Sequence, residues 1–598
     1  MSQDFSSRYI LLGTLFTVLA ALIFGQHVSL LLDHQRGEIL EEVRASHLGS
    51  IWTIHPPRGL IFDRKGQLLA GNEMVYEVGI DYRAVNKEAD DAHTIALTSN
   101  VYFGLDYYKV KVTVENPPNP QQVYLPLAKG IEKDKVDKLQ NFLEIRDTDS
   151  RLERTEKARL ARHLRGLVLQ PYMKRVYPEP LLASNVMGFV GYTQQALPLG
   201  YFGVEAKYNE MLAGTPVKLW VPNDPRLVQD FPPIPEGASL ILTIDRELQA
   251  AVEKILEENI QKTKSETGVI VVLDPKTGEV WAMASYPRLD ISRYWDYEAI
   301  SQKGQFVFNR AISAMYEPGS VFKVLTMASA LDKGVVTEDT TYLDKGAIEV
   351  GGLVIYNWDR AGHGKQSMQG CMQLSLNVCL AWVATQLGAA DLYTYLQAFG
   401  IGHTTGIDLD GERAGILKLP QDPLWSESEI GTNSFGQGVS ATPIQMAAAI
   451  SALANDGKIM RPHIVRAIIK DGEQFMITPS VSSIPISAKT ARTLTEMLAR
   501  SLEAEASSAL VDGYRVAGKT GTGEIAIPGA GYTSGETNAS FAGWGPVDDP
   551  RFLVYIWLEK PKTSIWGSEV AAPIFPKVVE QIALLMNIPP DRYRKATH

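Results

Sequence analysis

Apolar and polar positions divide the chain into one membrane-length run, a mixed N-terminal half and a C-terminal half of well-marked strands and helices. Tyr9–Gly25 carries no charge, and the weakly polar His27 precedes a second largely apolar run, Val28–Leu32. A single helix over residues 9–32 is long enough to cross a bilayer. Its length favours an uncleaved anchor over a removed leader peptide. Residues 1–8, with Arg8, then form a short inside tail, and nearly the whole chain lies beyond the membrane. Residues 33–50 are polar, with spaced Ile39, Leu40 and Val43, and read as a helical stalk.

Residues 51–235 read as a mixed module. The pair Pro56-Pro57 stops a helix, and Asp63-Arg64-Lys65-Gly66 between apolar runs predicts a hairpin turn. The stretch 86–165 is charged and helix-rich, with a strand predicted at Lys109–Val114 and a proline cluster at residues 117–120. Residues 165–217 are broken by glycine and include Gly203-Val204-Glu205. Five prolines at 222, 225, 232, 233 and 235 mark a boundary.

From residue 236 the pattern sharpens. Strands are predicted at Ser239–Ile244, Val269–Leu273 and Val280–Ala284, and Asp245 caps a helix running from Arg246 to about Lys262. Helices follow at Ser320–Lys333, Asn377–Leu387, Thr442–Ala454 and Lys489–Leu502. Late strands fall at Val516–Thr522, Ser540–Trp544 and Phe552–Leu558, and a closing helix follows Pro573. Strand hairpins at both ends with helices between them predict an α+β domain, an antiparallel sheet covered by helices.

Composition adds two exclusions. Of 598 residues, 45% are apolar and 21% charged, so the chain is globular rather than disordered. A net charge of −10 argues against nucleic-acid binding. The cysteines, Cys371 and Cys379, are too few for a disulfide framework. On one continuous helix, eight residues apart, their Cα atoms would stand about 12 Å apart, so they read as two buried free thiols.

Three short segments carry candidate chemistry. In Glu317-Pro318-Gly319-Ser320-Val321-Phe322-Lys323, proline and glycine place Ser320 at a helix start. The three-residue spacing sets Lys323 on the same helix face. A serine hydroxyl needs an adjacent base, and a lysine serves if burial and a neighbouring cation lower its pKa. Amides at the helix start can hold an oxyanion. In Ser375-Leu376-Asn377, Ser375 can relay a proton and Asn377 can bind a carbonyl. In Lys519-Thr520-Gly521-Thr522, Lys519 supplies positive charge, Gly521 permits close backbone approach, and the Thr522 amide can complete an oxyanion hole. The strand itself can take up an extended peptide. A second Lys-Thr-Gly, at 276–278, precedes the serine and sits in a predicted hairpin turn, so it is read as structural.

Each segment alone is an ordinary cap or turn; their order and contexts together are specific. With Thr243–Gln249, Asn309-Arg310-Ala311, Ser434–Gly438 and Ala571–Phe575, they make residues 239–598 resemble the transpeptidase domain of penicillin-binding proteins. The apolar anchor, Arg58-Gly59, Asp63–Gly66 and Gly203-Val204-Glu205 extend the resemblance to the monofunctional class B. The resemblance implies a non-catalytic pedestal of dimerisation type over 51–235 and a transpeptidase domain over 236–598.

It also implies a mechanism. Ser320 attacks the penultimate D-alanine carbonyl of a peptidoglycan stem peptide, Lys323 acts as base, and Ser375 relays the leaving-group proton. Lys519, Thr520 and Thr522 bind the substrate carboxylate, and Asn377 binds a carbonyl. An amine of a second stem peptide resolves the acyl-enzyme, and β-lactams stall it. No cofactor is implied. Some elongation-type members carry a metal-like cluster near the second motif. Here Leu376 fills the middle of that motif, Asn357 stands six residues before His363, and Asp359, His363 and the cysteines show no clean ligand spacing. That departure leans towards division. No separate glycosyltransferase domain is visible, so a membrane-embedded polymerase partner of the SEDS type is implied. A D,D-carboxypeptidase or β-lactamase, or a non-enzymatic β-lactam sensor or scaffold, remain the alternatives.

Overall fold

The structure, a computed structural model, describes residues 3–32, 49–85, 89–119, 121–148, 163–164, 166–192, 198–222, 235–297, 308–505, 507–526, 531–532 and 535–594. Met1–Pro57 with Ala213–Gly237 form one compact unit, and Arg58–Leu212 with Ala238–His598 form a second.

The first unit contains a 30-residue helix, Gln3–Leu32. At 1.5 Å per residue it measures about 45 Å. Over residues 9–26 its apolar side chains are turned outward, with Tyr9 72% and Leu11 75% exposed. An apolar helix of this length covers a hydrocarbon core of about 30 Å. The same unit pairs Gly49–Ile54 with Val217–Pro222 as antiparallel strands. Of the helical stalk expected at 33–50, residues 33–48 lie outside the described residues and Gly49-Ser50 instead open a strand; most of the expected proline boundary also lies outside them.

In the second unit, a seven-stranded sheet links the two halves of the chain. Its order is Glu473–Met476, Val465–Lys470, Ser239–Leu242, Ile61–Phe62, Leu68–Asp81 and Tyr124–Glu132, with Leu167–Val176 also paired to Leu68–Asp81. Ile61–Phe62 pairs in parallel with Ser239–Leu242. The expected turn after Phe62 forms: the buried Asp63 carboxylate accepts the Lys65 and Gln67 amides at 2.9 and 2.7 Å, and its other oxygen accepts Arg246 N at 3.1 Å. Glu205, fully buried, is held between Arg58 and Arg175 at 2.7 Å each.

The predicted strand at Lys109–Val114 is instead a helix, Tyr107–Glu115. Tyr-Lys-Val-Lys-Val-Thr-Val alternates like a strand, but Val110 and Val114 also stand one helical turn apart. Both are buried against Ile80 and Ile95. The Asp106 side chain, accepting Lys109 N at 2.7 Å, starts the helix and decides between the two periods.

The second sheet is antiparallel throughout, in the order Val280–Tyr286, Thr267–Leu273, Phe552–Glu559, Thr537–Gly545 and Ala517–Glu524. Ile270 and Val272 face one core, with helices Arg246–Thr263 and Ile574–Leu585. Val269 and Val271 face the other, with Val321 and Phe322. Burial on both faces explains why these strands read as unbroken apolar runs. Ala517–Glu524, which carries the late Lys-Thr-Gly, is the edge strand and leaves one side free to pair. The early Lys-Thr-Gly lies in a hairpin turn: Gly278 has φ +80°, and Lys276 pairs with Asp549.

Candidate active site

Ser320 sits in a 3-10 turn, Gly319–Phe322, that leads directly into the helix Lys323–Lys333. Residues three apart eclipse in such a turn, so Ser320 and Lys323 share a face even before the α-helix begins. Gly319 takes φ +61°, and a β-carbon there would stand 2.5 Å from the Thr522 carbonyl oxygen. Only glycine lets the serine turn press against the edge strand at that point. Gly521 does the same from the strand side: a β-carbon would meet Ser540 Oγ at 2.2 Å and the Pro318 carbonyl at 3.0 Å.

The Ser434–Gly438 segment backs this turn. Gly319 N donates to Gly436 O at 3.2 Å, Gly438 N donates to Glu317 Oε1 at 3.1 Å, and Thr326 Oγ1 donates to Ser434 O at 2.8 Å. Tyr532 Oη donates to the other Glu317 oxygen at 2.7 Å. Burial pushes the Glu317 carboxyl above its ordinary pKa, and these hydrogen bonds partly oppose the rise.

Lys323 is fully buried. Its ammonium nitrogen donates to the Ser375 carbonyl oxygen at 2.6 Å and lies 3.2 Å from Ser375 Oγ. Burial drives the Lys323 pKa well below 10.5, and the Lys519 charge lowers it further. Lys519 is itself buried, which brings it to about 8, with Glu505 opposing the fall. Its nitrogen lies 3.4 Å from both the carbonyl oxygen and the hydroxyl of Thr520. Two ammonium groups close together cannot both stay charged at low cost. The charge of Lys519 therefore adds to burial in favouring the neutral form of Lys323.

Ser375 has φ +53°, in the left-handed region. It lies in the turn between helices Met368–Gln373 and Asn377–Leu387. Asn377 opens the second helix, and its Nδ2 donates to the Tyr356 carbonyl at 3.1 Å. Thr522 Oγ1 accepts Gly567 N at 3.0 Å. The structure therefore brings the three sequence segments to one cleft: the Ser320 turn lies against the Thr522 strand, and Lys323 reaches Ser375.

The two-helix arrangement corrects the reading of the cysteines. Cys371 and Cys379 do not share one helix; the Ser375 turn reverses the chain between them, their Cα atoms approach to 6.1 Å, and they form a disulfide. One continuous helix would have held their Cα atoms about 12 Å apart, and the turn at Ser375 interrupts it.

Two aromatic residues escaped the sequence reading. Trp358 Nε1 donates to Leu374 O at 3.3 Å on the Ser375 side. Its ring meets Trp566 edge to face, with centroids 5.4 Å apart, and Trp566 adjoins the Gly567 amide bound to Thr522. Both tryptophans lie outside the three motifs, so spacing gave no signal for them. His363 Nε2 lies 3.0 Å from Asp359 Oδ2. Among the described residues, no group of three or more His, Cys, Asp or Glu side chains could hold a metal.

Comparison with known proteins finds two family domains in the chain. Residues 268–580 match the penicillin binding protein transpeptidase domain, and residues 53–219 match the penicillin-binding protein dimerisation domain. The chain belongs to the class B penicillin-binding proteins. Stage V sporulation protein D of Bacillus subtilis is 31% identical to this penicillin-binding protein over 96% of the chain and 86% of its own length. Peptidoglycan D,D-transpeptidase FtsI of Escherichia coli is 28% identical over 89% of the chain and 84% of its own length. Among crystal structures, penicillin binding protein 2X of Streptococcus thermophilus superimposes with a TM-score of 0.74 at 22% identity. It covers 90% of this chain and 80% of that one, and shows the shared fold. Penicillin binding protein 3 of Mycobacterium tuberculosis, complexed with aztreonam, gives 0.65 at 25% identity over 90% and 98% of the two chains.

Proposed function

We propose that this chain is a peptidoglycan D,D-transpeptidase of cell division or elongation, acting through an acyl-serine at Ser320. The observation that carries the reading is the buried Lys323 amine, in contact with Ser375 and depressed in pKa one helical turn from a half-buried serine. Neutral Lys323 takes the Ser320 proton as the hydroxyl attacks the penultimate D-alanine carbonyl. The oxyanion forms against the Ser320 and Thr522 amides. Lys323 returns the proton through Ser375 to the departing D-alanine, and the amine of a second stem peptide then resolves the ester. Lys519, with the Thr520 and Thr522 hydroxyls, holds the donor carboxylate. Asn377 keeps a second amide hydrogen for a substrate carbonyl while the first engages Tyr356.

The edge strand Ala517–Glu524 supports binding of the donor as an added strand. A β-lactam occupying the same place acylates Ser320 and is retained. The exposed apolar helix supports a single-pass anchor over residues 9–32 in the cell membrane, with residues 1–8 cytoplasmic and the rest outside. We assign 51–235 to the pedestal and 236–598 to the transpeptidase domain, working beside a membrane-embedded SEDS-type glycosyltransferase. Intact mass spectrometry tests the assignment. The full chain should gain one penicillin mass, and Ser320→Ala should gain none; an adduct that persists in the variant overturns the nucleophile.

A further inference from the structure

Building on that reading, we propose that the Cys371–Cys379 disulfide is a positioning clamp for Ser375 and Asn377, so that catalytic competence is set by thiol oxidation during folding. Cys371 lies in the short helix Met368–Gln373 and Cys379 is the third residue of Asn377–Leu387. The bond therefore closes a ring around both side chains of the second motif.

The turn inside that ring needs support. Ser375 holds φ +53°, a conformation that non-glycine residues rarely adopt without outside constraint. Hydrogen bonds contribute, among them Leu376 N to Cys371 O at 3.0 Å, Trp358 Nε1 to Leu374 O at 3.3 Å and, last, Lys323 Nζ to Ser375 O at 2.6 Å, the only one of these that involves Ser375 itself. This last one comes from the proposed base itself. When Lys323 is neutral it offers a weaker donor than an ammonium does. A hydrogen bond that changes with the catalytic proton cannot alone fix the turn through the cycle, whereas a covalent bond does so in either protonation state. Asn377 is tied to Tyr356 from outside the ring, and Val378 N to Asn357 Oδ1 at 3.1 Å. With the clamp these bonds hold both ends of the motif at fixed spacing.

Both cysteines are fully buried. Thiol–disulfide exchange requires access to sulfur, so the bond forms before this core closes and is sealed afterwards. The exchange removes two protons and two electrons from the thiol pair and passes them to a protein disulfide of the exterior, which leaves as a dithiol. Chain folded in a reducing compartment keeps the two thiols and lacks the clamp.

The full-length chain in detergent provides the test. The Cys371→Ala/Cys379→Ala double variant should fold and still take up one penicillin on long incubation, but at an acylation rate about a hundredfold lower, as expected for a displaced catalytic group. Its acid limb should also move to higher pH, because a loosened turn admits water to Lys323. A disulfide that only stabilised the fold would lower the melting temperature and leave the acylation rate and pH limb in place, and that result overturns the clamp. Wild-type chain made without a thiol-oxidising pathway gives the dithiol form with no substitution and should show the same defect. As an independent check, alkylation of denatured, unreduced active protein should label neither cysteine; labelling of both at full acylation rate sinks the proposal. A wild-type chain that takes up no penicillin refutes the transpeptidase reading and the clamp with it. Equal rates in the wild type and the double variant refute the clamp alone.

Discussion

Lys323 Nζ and the Ser375 carbonyl oxygen stand 2.6 Å apart, in a site where Lys323 has no exposed surface. The contact joins a residue of the serine helix to one 52 positions later and places the amine 3.2 Å from the Ser375 hydroxyl. It puts the amine beside a second hydroxyl while burial favours its neutral form. Lys323→Ala should therefore slow penicillin acylation by about 10³–10⁴-fold, at the upper end for a general base, with the fold retained. Lys323→Arg should not rescue it, because a guanidinium keeps its proton. Stopped-flow acylation with a fluorescent penicillin measures both; a wild-type rate in either variant removes Lys323 from the base role.

The Trp358–Trp566 pair spans the two sides of the cleft, one ring anchored beside Ser375 and the other beside Thr522. An edge-to-face pair contributes about 1 kcal/mol beyond the area it buries. Trp566→Ala should weaken the initial capture of penicillin roughly fivefold on that scale and leave the limiting acylation rate near wild type. A variant that loses the limiting rate instead would place Trp566 in the chemistry rather than in the cleft wall.

Much of this architecture was legible in the chain. The Asp245 cap, the Asn377–Leu387 helix and the late strands fall where periodicity and capping put them, because buried strands and amphipathic helices leave strong patterns. The motif segments meet as their order implied. Legibility ended where a local pattern fitted two structures. Lys109–Val114 satisfied both periods, and the Asp106 cap with Val110 and Val114 burial chose the helix. The cysteine pair depended on a left-handed serine, which sequence does not display. The Trp358–Trp566 contact joins residues more than 200 positions apart, with no motif to link them.

Glu205 has no exposed surface and stands between two guanidinium groups. Burial pushes its carboxyl pKa up, but Arg175 and Arg58 outweigh it and hold the net value below the ordinary carboxylate range. A carboxylate depressed in the folded state stabilises the fold above its unfolded pKa, and the benefit is lost as pH falls through the folded value. Glu205→Ala would leave two buried cations with no counter-charge, at a cost of about 3–5 kcal/mol. Thermal melting at neutral pH should show a large fall, whereas penicillin acylation by the protein that remains folded should be unchanged. A melting temperature within a degree or two of wild type would show that the triad does not hold the pedestal strands together.

The paired lysines predict a bell-shaped pH profile. On the proposed mechanism acylation requires Lys323 neutral, so the rate should rise as pH rises through its depressed pKa. On the same mechanism carboxylate capture requires Lys519 charged, so it should decline as pH rises through about 8. Lys519→Met should abolish the alkaline limb and weaken substrates bearing the carboxylate. It should also move the acid limb to higher pH, since Lys323 loses a neighbouring positive charge and its pKa rises towards the ordinary value. For Lys519 the stability effect has the opposite sign from the activity effect. Both folded lysines titrate below the unfolded 10.5, so between the folded and unfolded values the unfolded chain binds more protons, and stability climbs as pH rises through that window. Below it, the charge buried at Lys519 costs about 3 kcal/mol, the energy equivalent of its fall from 10.5 to about 8. Lys519→Met should therefore melt higher than wild type at pH 6.5 and lose that advantage near pH 10. Identical melting curves at both pH values, or an alkaline limb that survives the substitution, would mean that Lys519 does not carry the shifted proton.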